Sequence, residues 1–148
     1  MGRYFEDFAV GSEVVSLGQT LTLEAMIAFA TVYDPQSFHV DVEAAQASPY
    51  GGVIASGFQT LAVGFRKFLD TGVLAGTSFG SPGMDEVRWT RPVRPGDTLH
   101  TVMRVLETRP SASKPDRGIV RAAFRIVNQN DEDVMTFSTT VFVARRPS

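Results

Sequence analysis

The feature that most constrains this chain is a change of apolar period near Gly83. Between Gly57 and Asp70, the apolar residues Phe58, Leu61, Ala62, Val63, Phe65, Phe68 and Leu69 point in most directions around a helix. A helix that is apolar nearly all round belongs inside a protein. After Gly83 the period becomes two, and 84–91, 98–108, 119–127 and 134–144 read as four strands. In the last of these, Met135, Phe137, Thr139, Val141 and Val143 share one face. Antiparallel strands must cover their apolar face, and a central helix can do so. The two requirements answer each other and predict an α+β fold, an antiparallel sheet around a buried helix.

Upstream, 13–19 reads as a short strand. Thr22 is placed to cap a helix, with Glu24 in its first turn. Leu23, Met26, Ile27, Ala30 and Tyr33 follow at helical spacing until Asp34-Pro35, because a proline disfavours helical geometry in the residue before it. Residues 41–50 read as loop with one helical turn at 42–47, and Gly72 stops the long helix. Turns are marked by Pro92-Val93-Arg94-Pro95-Gly96-Asp97, by 109–118 and by 128–131. There is no internal repeat, and 148 residues predict one domain spanning 1–148. A net charge of −2 gives no footprint for nucleic acid, and no apolar run approaches the roughly 20 residues of a membrane span. The acidic start Met1-Gly2-Arg3-Tyr4-Phe5-Glu6-Asp7 is no secretion signal, and cysteine is absent, which removes disulfides and thiol chemistry. The expectation is a cytoplasmic protein.

Two places carry chemistry. Asp34 and His39 lie five positions apart across Pro35, in a chain with 2 histidines. A regular helix would hold them on separate faces, whereas a loop broken by proline can turn both toward one point, where together they can activate water. An isolated spacing of this kind more often marks a helix end and a satisfied histidine. The second place is Gly57. Ser56 is a good N-cap before an apolar helical run, which leaves the Gly57 N–H among the unpaired first-turn donors, suited to a developing oxyanion. The alternative reading is that Gly57 only permits tight helix packing. Gly76-Thr77-Ser78-Phe79-Gly80 matches a nucleophile elbow but lacks the strand before and helix after, so it reads as a flexible loop. His100 reads as a strand-face histidine. Arg88, Arg91 and Arg94 before the Pro95-Gly96 turn, and Arg109, Lys114 and Arg117, are candidates for phosphate contacts. Phe58, Phe65 and Phe68 could line an acyl tunnel, although core packing accounts for them equally.

The order Tyr4-Phe5-Glu6-Asp7-Phe8, Asp34-Pro35-Gln36-Ser37-Phe38-His39-Val40-Asp41, Gly51-Gly52-Val53-Ile54-Ala55-Ser56-Gly57, Gly83-Met84-Asp85-Glu86-Val87-Arg88-Trp89 and Pro92-Val93-Arg94-Pro95-Gly96-Asp97 resembles the MaoC-like dehydratase and (R)-specific enoyl-CoA hydratase family. The resemblance implies a hotdog fold and reversible hydration of a trans-2-enoyl-CoA to an (R)-3-hydroxyacyl-CoA in fatty-acyl metabolism. It implies no metal and no redox cofactor, the substrate itself carrying coenzyme A. It makes Asp34 and His39 the dyad, with His39 as main base and Asp34 as orienter and proton donor to the α-carbon. The Gly57 amide becomes the oxyanion donor, and Ser56, Gln36, Phe38, Phe58 and Arg88 are expected around the substrate. Family members are dimers or dimers of dimers with the thioester at the subunit interface. The chain departs from the stricter hydratase pattern at Gln36, Ser37 and Phe38, and at Ser56, where better-known hydratases have His. A hotdog thioesterase and a non-catalytic thioester-binding homologue are the alternatives.

Overall fold

The computed structural model describes residues 1–148. Two short strands, β1 (Glu13–Val15) and β2 (Gln19–Thr20), lead into helix α1 (Leu23–Tyr33). The expected single strand over 13–19 is broken at Ser16, where the side-chain hydroxyl rather than a backbone carbonyl accepts the Thr101 N–H, 2.8 Å away. Helix α1 starts as expected, with the Thr22 hydroxyl accepting from Ala25 N–H at 3.2 Å. It ends at Asp34, which leaves helical geometry with φ −155° under the constraint of Pro35.

The segment after Pro35 is more helical than the sequence suggests. Helix α2 (Ser37–Val40) and helix α3 (Val42–Ala47) follow each other, so His39 stands on one helical turn rather than in an open loop. The Asp41 carboxylate accounts for α3 by accepting from Ala44 N–H at 3.0 Å.

The long helix α4 (Gly57–Asp70) starts and stops where expected, with Gly72 at φ 74°. It is followed by β3 (Met84–Trp89), β4 (Thr98–Pro110), β5 (Arg117–Val127) and β6 (Asp133–Ala144). The antiparallel sheet runs in the order β1-β4-β5-β6-β3, with β2 also on β4. β3 is therefore an edge strand. Its register on β6 slips between Asp85 and Arg88, at a bulge where Glu86 takes φ 50°.

The sheet packs on α4 through Phe68, whose ring meets Phe124 edge-on at 5.0 Å, and Phe124 stacks on Phe137 at 4.8 Å. The expectation that α4 is buried all round is corrected. Its core-facing residues are Gln59, Thr60, Gly64 and Phe68, while Phe58, Phe65 and Leu69 are exposed. Close approach to the sheet explains the inversion. A Cβ on Gly64 would collide with Ile126, and the Thr101 hydroxyl donates to the Gly64 carbonyl at 2.7 Å. Small and polar residues let the helix sit tight against β4 and β5, and the large apolar residues are left on the outer side. The segment 76–80 is likewise no free loop. Phe79 N–H donates to Phe142 O and Ala144 N–H to Thr77 O, so it extends the pairing along β6.

Candidate active site

The N-terminus of α4 is where the chain's polar chemistry converges. A cavity of about 450 Å³ is lined there by Asp34, His39, Gln36, Gly57 and Trp89, among others. Three helix termini supply its central polar groups: the end of α1 gives Asp34, α2 gives His39, and the start of α4 gives Gly57.

His39 is 4 % exposed, and its ring is fixed from both sides. Nδ1 lies 2.7 Å from the Ile54 carbonyl oxygen, which can only accept, so Nδ1 carries a proton in the neutral ring. That leaves Nε2 as the basic nitrogen, and it faces Asp34 Oδ2 at 3.3 Å. The Phe38 ring packs edge-on against the imidazole, with centroids 4.5 Å apart.

Asp34 is fixed as firmly. Gln36 Nε2 donates to Oδ1 at 2.8 Å, and Ser56 Oγ donates to Oδ2 at 2.7 Å. These bonds favour the carboxylate, and Asp34 is held below the ordinary carboxyl value, first by Gln36, whose effect burial opposes, and further by Ser56 and the nearby His39. Ser56 is fully buried. Its hydroxyl also accepts from Phe58 N–H at 3.3 Å, so one oxygen joins the start of α4 to the carboxylate. Ser56 thus stands behind Asp34 and outside the cavity lining, whereas Gln36 both braces Asp34 and lines the cavity.

Gly57 opens α4, and its N–H has no partner within the chain. Of the two readings of this glycine, the packing one is met by a neighbouring side chain. A Cβ at Gly57 would lie 2.5 Å from the Trp89 ring, so the space is already filled by the indole. Trp89 Nε1 donates to the Gly57 carbonyl at 2.9 Å.

Of the other expected contacts, Phe38 and Phe58 line the cavity. Arg88 does not. It precedes Trp89 on β3, and neighbouring strand residues face opposite ways. Arg91 lines the cavity instead, paired with Glu132 at 2.9 Å, while Arg94 lies outside it, its backbone N–H donating to Asp97 Oδ2 at 2.8 Å. His100 faces neither this cavity nor the apolar one beside it. Phe65 lines the apolar cavity and Phe68 is core. The sequence reading missed Trp89 and Thr60 as cavity residues. Trp89, the only tryptophan in the chain, carried the available signal, an aromatic ring at the end of an edge strand before the Pro92 turn. Thr60 could be found only by placing it one turn beyond Gly57 on the same helix face. No three His, Asp or Glu side chains converge in a way that would hold a metal ion.

Comparison with known proteins agrees with this architecture. The MaoC-like domain model matches residues 7–124. The chain is 41 % identical to a MaoC-like dehydratase from Rhodospirillum rubrum of known crystal structure, covering 99 % of this chain and 100 % of that one with a TM-score of 0.92. It is 29 % identical to the uncharacterized protein YdeM of Bacillus subtilis, covering 95 % of this chain and 98 % of YdeM. Rv0216 of Mycobacterium tuberculosis, described as a double hotdog, superposes with a TM-score of 0.85 over 99 % of this chain and 46 % of its own length at 21 % identity, a likeness of fold. The sheet wrapped on α4 is the hotdog fold, and the chain belongs to the MaoC-like dehydratase domain family.

Proposed function

We propose that this chain is a hydratase that adds water reversibly to a trans-2-enoyl thioester of coenzyme A, giving the (R)-3-hydroxyacyl form. The observation that carries the reading is the meeting of an Asp34–His39 pair and an unpaired Gly57 N–H in one cavity.

The chemistry follows from the hydrogen bonds. His39 Nε2 and Asp34 Oδ2 are both acceptors unless a proton lies between them, so the pair has two working states that differ by one proton. In the deprotonated state it takes a proton from water as the water oxygen attacks the β-carbon. Charge then gathers on the thioester oxygen, where the Gly57 N–H and the helix terminus stabilise it. The α-carbon finally takes the proton from the pair, so one water is added across the double bond and nothing is left over. Dehydration runs the same steps backward, with the protonated pair releasing the hydroxyl as water.

The donors on Asp34 refine the division of labour. A carboxylate that accepts from both Gln36 and Ser56 holds a proton poorly, so His39 is the better carrier to the α-carbon, and Asp34 orients the water and offsets the imidazolium charge. The acyl chain runs past Phe58 toward the neighbouring apolar cavity, and a second copy of the chain covers the exposed apolar face of α4.

The reading is tested with a panel of short, medium and branched trans-2-enoyl-CoAs, following loss of the conjugated absorbance beside release of free thiol. Absorbance loss without thiol is the expected result. Thiol release would make the protein a thioesterase, and binding without turnover would make it a non-catalytic homologue.

A further inference from the structure

Trp89 belongs to an edge strand yet makes its polar contact with the first residue of α4. The bulge between Asp85 and Arg88 shifts the β3 register, so that Trp89 stands opposite Met135 at the strand's end. A bulge re-aims the side chains that follow it. Here the result is that the indole lies where a Gly57 side chain would be, donates Nε1–H to the Gly57 carbonyl, and meets Phe58 edge-on at 6.1 Å.

A surface tryptophan has cheaper places to lie. The residue is 49 % exposed on the chain, so packing within the chain does not alone fix it, and its N–H could bond to water instead. The bond to Gly57 is made at a carbonyl that, as the first in α4, also serves the helix's own ladder. That second donor holds the Gly57–Phe58 peptide, and so anchors the Cα to which the unpaired Gly57 nitrogen is bonded. The ring beside it keeps water from one side of the residue whose N–H is unpaired. A preorganised donor in a partly dried site stabilises developing charge more than one that must first shed solvent.

We propose that Trp89 is a positioning residue that holds Gly57 so that its amide meets the thioester oxygen, and that the glycine at 57 exists to admit the indole. The inference rests on the hydratase reading of this site. It places the lone tryptophan in the wall against which the thioester docks.

Two measurements test it. The first needs no turnover: titration of the wild-type protein with a saturated acyl-CoA, which binds but cannot be hydrated, while Trp89 emission is followed. A saturable change in intensity or wavelength is expected, and emission unchanged at ligand concentrations shown by calorimetry to saturate the protein would overturn the placement. The second compares hydration by Trp89→Phe, which keeps an aromatic ring and lacks the N–H, with wild type. The expected result is a fall in kcat of about tenfold, the worth of one well-placed hydrogen bond, with KM changed less than twofold. Equal kcat would overturn the positioning role, and so would a loss that appears only in KM. Wild-type protein that shows the emission change but hydrates no enoyl thioester would instead overturn the hydratase reading and leave the placement of Trp89 standing.

Discussion

Two cavities share the Phe58 ring as a wall, and they are opposites. The first, about 450 Å³, gathers Asp34, His39, Gln36, Thr60 and Arg91. The second, about 530 Å³, is lined by Leu61, Ala62, Phe65, Leu69, Met84, Phe137 and Val141, with a few small polar groups. Both lie along α4, one at its N-terminus and the other on its outer face. The polar cavity is wired by hydrogen bonds with both partners in the chain, so single changes there should be felt strongly. The apolar cavity is held by contact alone, and single changes there should alter which chain fits rather than whether water is activated. The contrast also explains why α4 carries large aromatics outward: its core side had to be narrow for Gly64, leaving the apolar volume on the outer side.

The sharpest way to break this comparison is in the polar cavity. His39→Ala removes the proposed base, and hydration should fall about 10²–10⁴-fold by the absorbance assay while circular dichroism is unchanged. Gly57→Ala comes next. Its Cβ would lie 2.5 Å from the indole, so Trp89 must move, and a loss of about 10²-fold in kcat with a changed Trp89 emission spectrum is expected.

Ser56→Ala cuts the link between the start of α4 and Asp34. About tenfold in kcat and about 1 kcal/mol of stability by chemical denaturation are the expected losses. At the apolar cavity, Phe58→Ala should cost the folding of a single chain little, because Phe58 is 58 % exposed on it. It should shift preference toward longer or branched enoyl-CoAs by a few-fold in kcat/KM.

A smaller effect lies in pH. Asp34 titrates below its ordinary value, so its ionised form adds stability that is fully present above the unfolded-state value of about 3.9 and is lost as pH falls through the lower folded value. Asp34→Asn has no such group. The difference in melting temperature between wild type and Asp34→Asn should therefore shift against the wild type on acidification below about pH 4, and a constant difference would contradict the assignment of Gln36 and Ser56 as its donors.

The legibility of the molecule divides along similar lines. Period and breakers located α1, α4 and the four long strands, because each depends on local pattern or on one residue such as Thr22, Pro35 or Gly72. The meeting of Asp34, His39 and Gly57 was legible in outline, since Pro35 and the Ser56 cap are local signals too. What stayed hidden depends on contacts between distant segments. The outward turn of Phe58 and Phe65 follows from Gly64 meeting Ile126 across the core. The exclusion of Arg88 in favour of Arg91 follows from strand alternation at the end of β3, and the role of Trp89 from a bulge that no residue type announces. Ser56 was read as a cap and as a substrate contact. It is a cap, but its second bond reaches back 22 residues to Asp34, which only the folded chain reveals.

The central claim is that Asp34 and His39 act as one proton-handling unit beside the Gly57 amide. A double-mutant cycle tests it most directly, comparing kcat for hydration of one enoyl-CoA by wild type, Asp34→Asn, His39→Ala and the double variant, all shown to be folded. If the pair is a unit, the double variant loses no more than the worse single variant, because either change alone already disables it. Losses that multiply would mean two independent groups, and full activity in either single variant would contradict the account outright.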